Sequence, residues 1–316
     1  MVEQAGSSSD VRFDANETAF LERELTQLRA KLYEVQYADN VAMTFVPLAT
    51  DIAPDAKTYS TPVLDRTGRA KIIGNGVTDI PRVDLKKDEI LGQVYTVADS
   101  YGFELMELRN AARLNLPIEM WKAQNARASI DDEIDQVLAF GQTHDQAFSL
   151  NVTGLANNPA VAVDTTSFTP WTGATPAATQ LAALNKPAAL LNATLQNKST
   201  LLPNLMVMPS SMYDIAATTP VGNTSDLSVL EWFKRNNPYI KDVRQWNKLA
   251  TANAAGTGPR ILVYRMAPLV LEGVVPLLFE QLPPQAQGLE LITNCIARVG
   301  GVKLYHPEAV SYCDPT

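Results

Sequence analysis

The sequence predicts an α+β protein organised around one long helix. Three observations carry that prediction: a sustained helical pattern over residues 117–140, alternating short β runs and helical spacings over 182–273, and extended, turn-punctuated chain over 51–98 and 269–305. In the long helix, Pro117 suits a first-turn position, because its missing N–H is an orphan there and its φ is already helical. Gly141 supplies a left-handed stop. Between them Ile118, Trp121, Ala126, Ile130, Ile134, Val137 and Leu138 recur at three- and four-residue steps, so they lie along one stripe that must rest on something apolar. At 1.5 Å per residue the rod is about 36 Å long, a structural spine.

A chain of 316 residues with 46% hydrophobic residues buries a core without disulfides or metals. Its two cysteines, Cys295 and Cys313, lack the paired spacing of zinc or redox motifs, and half-buried, reduced strand positions are expected for them. No apolar segment with a small-residue cleavage site opens the sequence. Secretion is therefore not expected, and the triplets at Asn151, Asn192 and Asn223 carry no glycosylation message. The most apolar run, 261–279, is interrupted by Arg265, Pro268, Glu272 and Pro276, which argues against a spanning helix. A net charge of −8 argues against a general nucleic-acid-binding surface. The distribution says more: residues 99–184 carry four basic and ten acidic side chains, and 185–273 carry nine basic and five acidic. Such asymmetry can steer copies of one chain into head-to-tail contact.

Taken in order, residues 1–15 are polar and aperiodic. Leu21, Leu25, Leu28, Leu32 and Val35 then repeat at steps of four and three, an amphipathic arm too short for an independent coiled coil and suited to docking on a body. Residues 51–98 hold seven acidic and seven basic side chains with few apolar ones, which fits a long charged hairpin projecting from the body. Its Gly74-Asn75-Gly76 reads as a turn, because the third glycine and the Gly-Lys-Ser/Thr ending of phosphate loops are missing. After the spine come the loop Gly154-Leu-Ala-Asn-Asn-Pro159, a strand over 160–163, and a helix over 177–196 that Pro187 is expected to kink or restart. A mixed sheet with packed helices follows. The end is a β-hairpin whose tip is expected at Pro283-Pro284-Gln-Ala-Gln-Gly288.

Candidate chemistry is sparse. His144 and His306 are the only histidines, and neither lies in a ligand-spaced cluster. No Gly-x-Ser-x-Gly elbow accompanies His144-Asp145. Asp131, Asp132, Glu133 and Asp135 fan around a helix instead of converging on a metal, and a solvated or partner-facing edge is expected. The four tryptophans fit a core as well as a ligand platform.

The order of parts (amphipathic arm, charged β projection, spine, Gly154-Leu-Ala-Asn-Asn-Pro159 loop, α/β lobe, and a terminal hairpin ending Gly300-Gly-Val-Lys-Leu-Tyr-His-Pro-Glu-Ala309) resembles the major capsid proteins of tailed bacteriophages, with the Hong Kong 97-type fold. The resemblance implies an N-terminal arm over 1–50, an extended β-hairpin E-loop over 51–98, a peripheral domain over 99–181 and 274–316 with spine 117–140, and an axial domain over 182–273. It implies a protein that is not an enzyme, has no catalytic, cofactor or metal residues, and assembles into the icosahedral head shell around double-stranded DNA. Implied partners are copies of the chain in hexamers and pentamers, portal, scaffold or decoration proteins, and DNA held by confinement, with no membrane. The implied location is the virion, with assembly in the host bacterial cytoplasm. Candidate contacts between subunits are Leu21, Leu25, Leu28, Leu32, Arg66, Arg69, Lys71, Lys86, Lys87, Pro283 and Pro284. Some such shells join a lysine to an asparagine; Lys71, Lys86, Lys87 and Asn294 have suitable types, but no motif aligns them and ordinary ionic contact is the preferred reading. The alternatives are an encapsulin-type compartment shell and a cytosolic α+β enzyme.

Overall fold

The computed structural model describes residues 38–72, 82–114, 118–141, 152–165, 170–196, 198–222, 226–253 and 256–314. The chain divides after Asp39, and Asn40–Thr316 is one compact unit. That unit opens with a single turn, α1 (Ala42–Phe45), whose Ala42 and Phe45 are buried. Next comes a hairpin of two ten-residue strands, β1 (Thr58–Thr67) and β2 (Asp84–Gln93), paired antiparallel in unbroken register from Thr58 opposite Gln93 to Thr67 opposite Asp84. After Val94 the chain continues into β3 (Tyr95–Glu104), a short helix α2 (Leu105–Leu114) and the spine α3 (Ile118–Phe140).

In α3 the expected stripe is the buried one: Ala126, Ile130, Ile134, Val137 and Leu138 are shielded, and Ile118 and Trp121 are half-buried. Pro117 lies outside the described residues. The helix ends as its glycine requires, with Gly141 at φ +78° and its N–H donating to the Val137 carbonyl at 2.8 Å.

The loop after the spine completes that end. The N–H groups of Leu155 and Ala156 donate to the Leu138 and Ala139 carbonyls, both at 2.8 Å, satisfying acceptors that a helix C-terminus leaves orphaned. Gly154 permits the approach, since a Cβ there would fall 2.4 Å from the Ala139 carbonyl oxygen. The expected strand over 160–163 shrinks to a two-residue piece, β4 (Val163–Asp164).

Helix α4 (Ala177–Leu195) corrects a second expectation, for it runs on through Pro187. A proline inside a helix costs about 3 kcal/mol. Here Ala183, Leu184, Pro187, Ala188, Leu191 and Leu195 are all buried, so packing along the whole face offsets the lost bond.

The lobe beyond α4 contains β5 (Leu205–Met208), α5 (Ser210–Thr218), α6 (Val229–Asn236), β6 (Asp242–Gln245) and β7 (Ile261–Tyr264). Ser228 caps α6, its hydroxyl accepting from the Glu231 N–H at 3.2 Å, and Lys234 and Arg235 occupy the last turn. Four more strands, β8 (Leu271–Val274), β9 (Leu277–Gln281), β10 (Gln285–Gln287) and β11 (Glu290–Val299), precede β12 (Gly301–Leu304) and β13 (Val310–Cys313).

The lobe sheet has the order β4-β13-β7-β5-β6 and mixes parallel with antiparallel pairs. Its strands β5, β7 and β13 are buried at every residue, which explains their unalternating runs Leu-Met-Val-Met and Ile-Leu-Val-Tyr. The terminal strand thus belongs to the same sheet as residues 205–264. A second sheet sets β11 between β3 on one edge and β9 and β10 on the other, and the spine packs on it. A third pairs β8 with β12.

Prolines 283 and 284 do not form the hairpin tip. They interrupt the strand between β9 and β10, and the turn lies at Gly288-Leu289, with Gly288 at φ +65°. Pro has no N–H for the ladder, so the two residues mark a break in pairing.

Candidate assembly surfaces

Of the candidate contact residues that lie in described chain, Arg66, Lys86 and Lys87 stand on the β1–β2 hairpin. Directly opposed residues share a face, so the register sorts its side chains. One face holds Leu91, Pro62, Leu64 and Leu85 with Arg66, Lys87 and Glu89; the other holds Val63 and Ile90 with Asp65, Lys86, Asp84 and Asp88. Leu64, Leu85 and Leu91 are 66%, 65% and 71% exposed. Lys86 stands opposite Asp65, and Lys87 Nζ lies 3.6 Å from Glu89. Arg69 and Lys71 are exposed just past the end of β1. Pro283 and Pro284 are exposed on a different sheet. Leu21, Leu25, Leu28 and Leu32 lie outside the described residues, as do Gly74-Asn75-Gly76 and His144.

The root of the hairpin is anchored, in contrast to its length. Lys303 Nζ donates to the Leu91 carbonyl at 3.2 Å, Arg298 Nη1 to the Pro54 carbonyl at 2.7 Å, and the Val94 N–H to the Lys57 carbonyl at 2.9 Å. Tyr59 lies across Gly92, where a Cβ would sit only 2.1 Å from the ring. A cavity of about 230 Å³ beside it is lined by Asp51, Tyr59, Thr61, Glu272 and Tyr305 among others. The Tyr305 hydroxyl donates to Glu272 Oε2 at 2.9 Å. Burial, and then the nearby Tyr305 and Glu272, push the Tyr59 phenol up to about 12. Burial also draws the Lys303 ammonium below its ordinary range.

Two charged clusters escape sequence reading. Asp135, expected on a solvated edge, is buried: its Oδ1 accepts from the Ala42 N–H at 2.6 Å, and its other oxygen pairs with Lys248 of the lobe. One turn earlier, Asp132 Oδ1 accepts from Asn40 Nδ2 at 2.7 Å. The spine's acidic side therefore holds the chain just after residue 39 and the lobe together. The acidic run was visible in sequence, but nothing in it distinguished the one carboxylate that turns inward.

The second cluster is Arg260 with Asp314, joined at 2.6 Å through Nε–Oδ1 and Nη2–Oδ2. Arg260 Nη1 also donates to the Ala156 carbonyl at 2.5 Å, and its guanidinium lies 4.6 Å from the Tyr312 ring centre. The Tyr312 hydroxyl donates to the Leu155 carbonyl at 2.5 Å and accepts from the Asn158 N–H at 3.2 Å. Thus the loop 154–159, strand β13 and the start of β7 share one knot. Burial pushes the Tyr312 phenol well above its ordinary range. Cys295 and Cys313 are fully buried, not half-buried, and burial raises the Cys295 thiol.

Of the remaining titratable groups, His306 Nδ1 meets Glu308 at 3.2 Å. Among the described residues no three histidine, cysteine or acidic side chains gather as a metal site, and no helix is long and apolar enough to cross a membrane. Trp171 and Trp246 are core residues, and Phe45 packs on Trp246 with ring centres 5.0 Å apart.

The fold has solved counterparts. The capsid of Myoviridae phage XM1 superposes with a TM-score of 0.82 at 17% identity, covering 93% of this chain and 98% of that one. For Mycobacterium phage Bobi the TM-score is 0.60 at 13% identity, covering 96% and 98%. A virus-like particle from Pyrococcus furiosus gives 0.51 at 13% identity, covering 86% and 91%. These likenesses establish a Hong Kong 97-like fold. No curated protein matches the sequence. The family model described as "Major capsid protein" matches residues 68–315, a span that takes in β2, the spine, the capping loop, the lobe and the terminal strands, and the chain belongs to that family.

Proposed function

We propose that the chain assembles with copies of itself, as hexamers and pentamers, into the closed icosahedral head shell that encloses the double-stranded DNA of a tailed bacteriophage. The observation that carries this reading is the hairpin: two ten-residue strands whose Leu64, Leu85 and Leu91 stand exposed among the described residues. A subunit that works alone gains nothing from such a projection, whereas exposed apolar surface of this kind marks contact between proteins. The family supplies the class, a structural shell protein of the virion.

In this reading residues 1–50 are the N-terminal arm, 51–98 the E-loop, 99–181 with 274–316 the peripheral domain, and 182–273 the axial domain. The arm's Leu21, Leu25, Leu28 and Leu32 offer a second docking stripe. The subunit has no enzymatic role, works with portal, scaffold or decoration proteins, and confines DNA without reading its sequence. Assembly takes place in the host cytoplasm. A compartment shell of encapsulin type is the second reading, supported by the likeness to the Pyrococcus furiosus particle, which at TM-score 0.51 is weaker than that to the phage XM1 capsid.

Negative-stain microscopy and sedimentation of the purified chain, with scaffold and portal supplied, test the proposal. Closed shells are expected. A chain that stays monomeric under every assembly condition overturns it, and shells that take up cargo protein but never DNA favour the second reading.

A further inference from the structure

The cavity of about 230 Å³ beside Tyr59 is built from two parts of the subunit. Tyr59, Ser60 and Thr61 come from β1, Glu272 from β8, and Tyr305 follows β12. Two carboxylates, Asp51 and Glu272, and two phenols line it, and no lysine or arginine does. The nearest candidate cation is turned away. Lys303 stands directly opposite Glu272 in the β8–β12 ladder, yet its Nζ donates to the Leu91 carbonyl at 3.2 Å. No ion pair reaches Asp51 or Glu272 among the described residues. The Tyr305 hydroxyl engages only Oε2 of Glu272, at 2.9 Å. Burial raises the Tyr305 phenol, and Glu272 and then Asp51 raise it further, so both carboxylates act on the same space.

We propose that this cavity binds a primary alkylammonium ion. Charge selects a cation, because a negative guest would meet two carboxylates and no counter-charge. A bare divalent metal fits poorly: calcium takes six to eight oxygen ligands, and among the described residues no three acidic, histidine or cysteine side chains gather as a metal site. The cavity also has room for a chain of several heavy atoms. An ammonium head donates to carboxylate and hydroxyl oxygens, and charge-assisted bonds of that kind are about twice as strong as neutral ones. The phenol rings attract the same head through their faces, and Ile52, Ala53 and Ala56 on the same lining suit its alkyl stem. Because the walls belong to both hairpin and body, the guest ties β1 to β8. Its source is either a free amine or the lysine side chain of another chain.

Calorimetric titration of the purified subunit with butane-1,4-diamine at low salt tests the site. One saturable site per chain is expected. Glu272→Gln, which keeps the size and an acceptor for Tyr305, is expected to raise Kd at least about tenfold. Asp51→Asn, at an exposed position where folding is not at stake, is expected to weaken binding in the same direction. Asp88→Asn, on the hairpin but outside the cavity, is expected to bind as the unaltered chain does. Hydrogen exchange at residues 57–61 is expected to slow when the diamine is added. The absence of a saturable site, a site that both cavity variants retain, or displacement by an equal concentration of magnesium chloride overturns the proposal. Assembled shells distinguish the sources. A site still open to the diamine in shells assigns it to a free amine, and a site present in subunits but closed in shells assigns it to a lysine of another chain. A chain that forms no shells overturns the shell reading and leaves this site to the subunit titration.

Discussion

Arg260 and Asp314 close a buried two-pronged ion pair, both contacts at 2.6 Å, although fifty-four positions separate them in the chain. Removing one partner leaves an uncompensated charge in the interior, which typically costs about 3–5 kcal/mol. Arg260→Met is therefore expected to lower the urea midpoint of the folded subunit sharply. Replacing both, Arg260→Met with Asp314→Leu, is expected to cost less than the single change, and a double-mutant cycle in urea reads the difference.

Gly154 sits where a side chain has no room. An alanine Cβ would fall 2.4 Å from both the Ala139 carbonyl oxygen and the Phe140 nitrogen, and both are backbone atoms of the spine. Gly154→Ala is expected to push the capping loop off the helix end and cost about 1–3 kcal/mol, the range for overpacking. Thermal unfolding measures the loss. Gly173→Ala, where nothing stands within 4 Å, is the control and is expected to leave Tm unchanged.

Asp135 accepts from the Ala42 N–H and pairs with Lys248 at once. Asp135→Asn keeps an acceptor for the N–H but removes the charge. It is expected to cost less than Asp135→Ala, which leaves both groups without a partner, at about 1–3 kcal/mol for each unsatisfied donor. Hydrogen exchange at residues 40–46 locates the effect, with faster exchange expected there than in the lobe.

Tyr59 gives a pH signature of the hairpin root. Its phenol is pushed from 10.0 up to about 12, first by burial and then by Tyr305 and Glu272. A raised folded value means that the neutral form is the one the fold favours. The associated stability is fully present below pH 10 and is lost as pH rises through about 12. An absorbance titration of tyrosinate is expected to lose one phenol titrating near that value in Tyr59→Phe. A phenol lost near 10 instead would show that Tyr59 is solvated and the root open.

How much of this was legible depended on the range of the forces involved. Periodicity over 118–140 marked both the spine and its buried stripe, because a helix repeats its environment every few residues and Ile130, Ile134 and Leu138 had to fall in line. The glycine after Phe140 marked the stop, since only a residue without Cβ adopts that φ cheaply. Composition marked the hairpin: alternating charges with few apolar residues can form strands but cannot bury them. The order of these parts was enough to identify the family.

Tertiary structure alone decided which distant residues meet. Pro187 looked like a break in α4, and packing of the surrounding face carried the helix through it. Pro283-Pro284 looked like a turn, and the turn fell at Gly288-Leu289 because pairing with β11 runs on to Glu290. Asp135 could not be told from Asp131 or Asp132 in the sequence, yet it alone of the three is buried. The face of the hairpin that carries Arg66 was fixed only by its register with β2, for a slip of one residue would have moved every side chain to the other side. Local sequence sets period, caps and breaks through contacts within a few residues. Burial and charge pairing are settled between segments tens or hundreds of positions apart, as with Ala42 and Asp135 or Arg260 and Asp314, and no local pattern encodes which of many similar residues will be chosen.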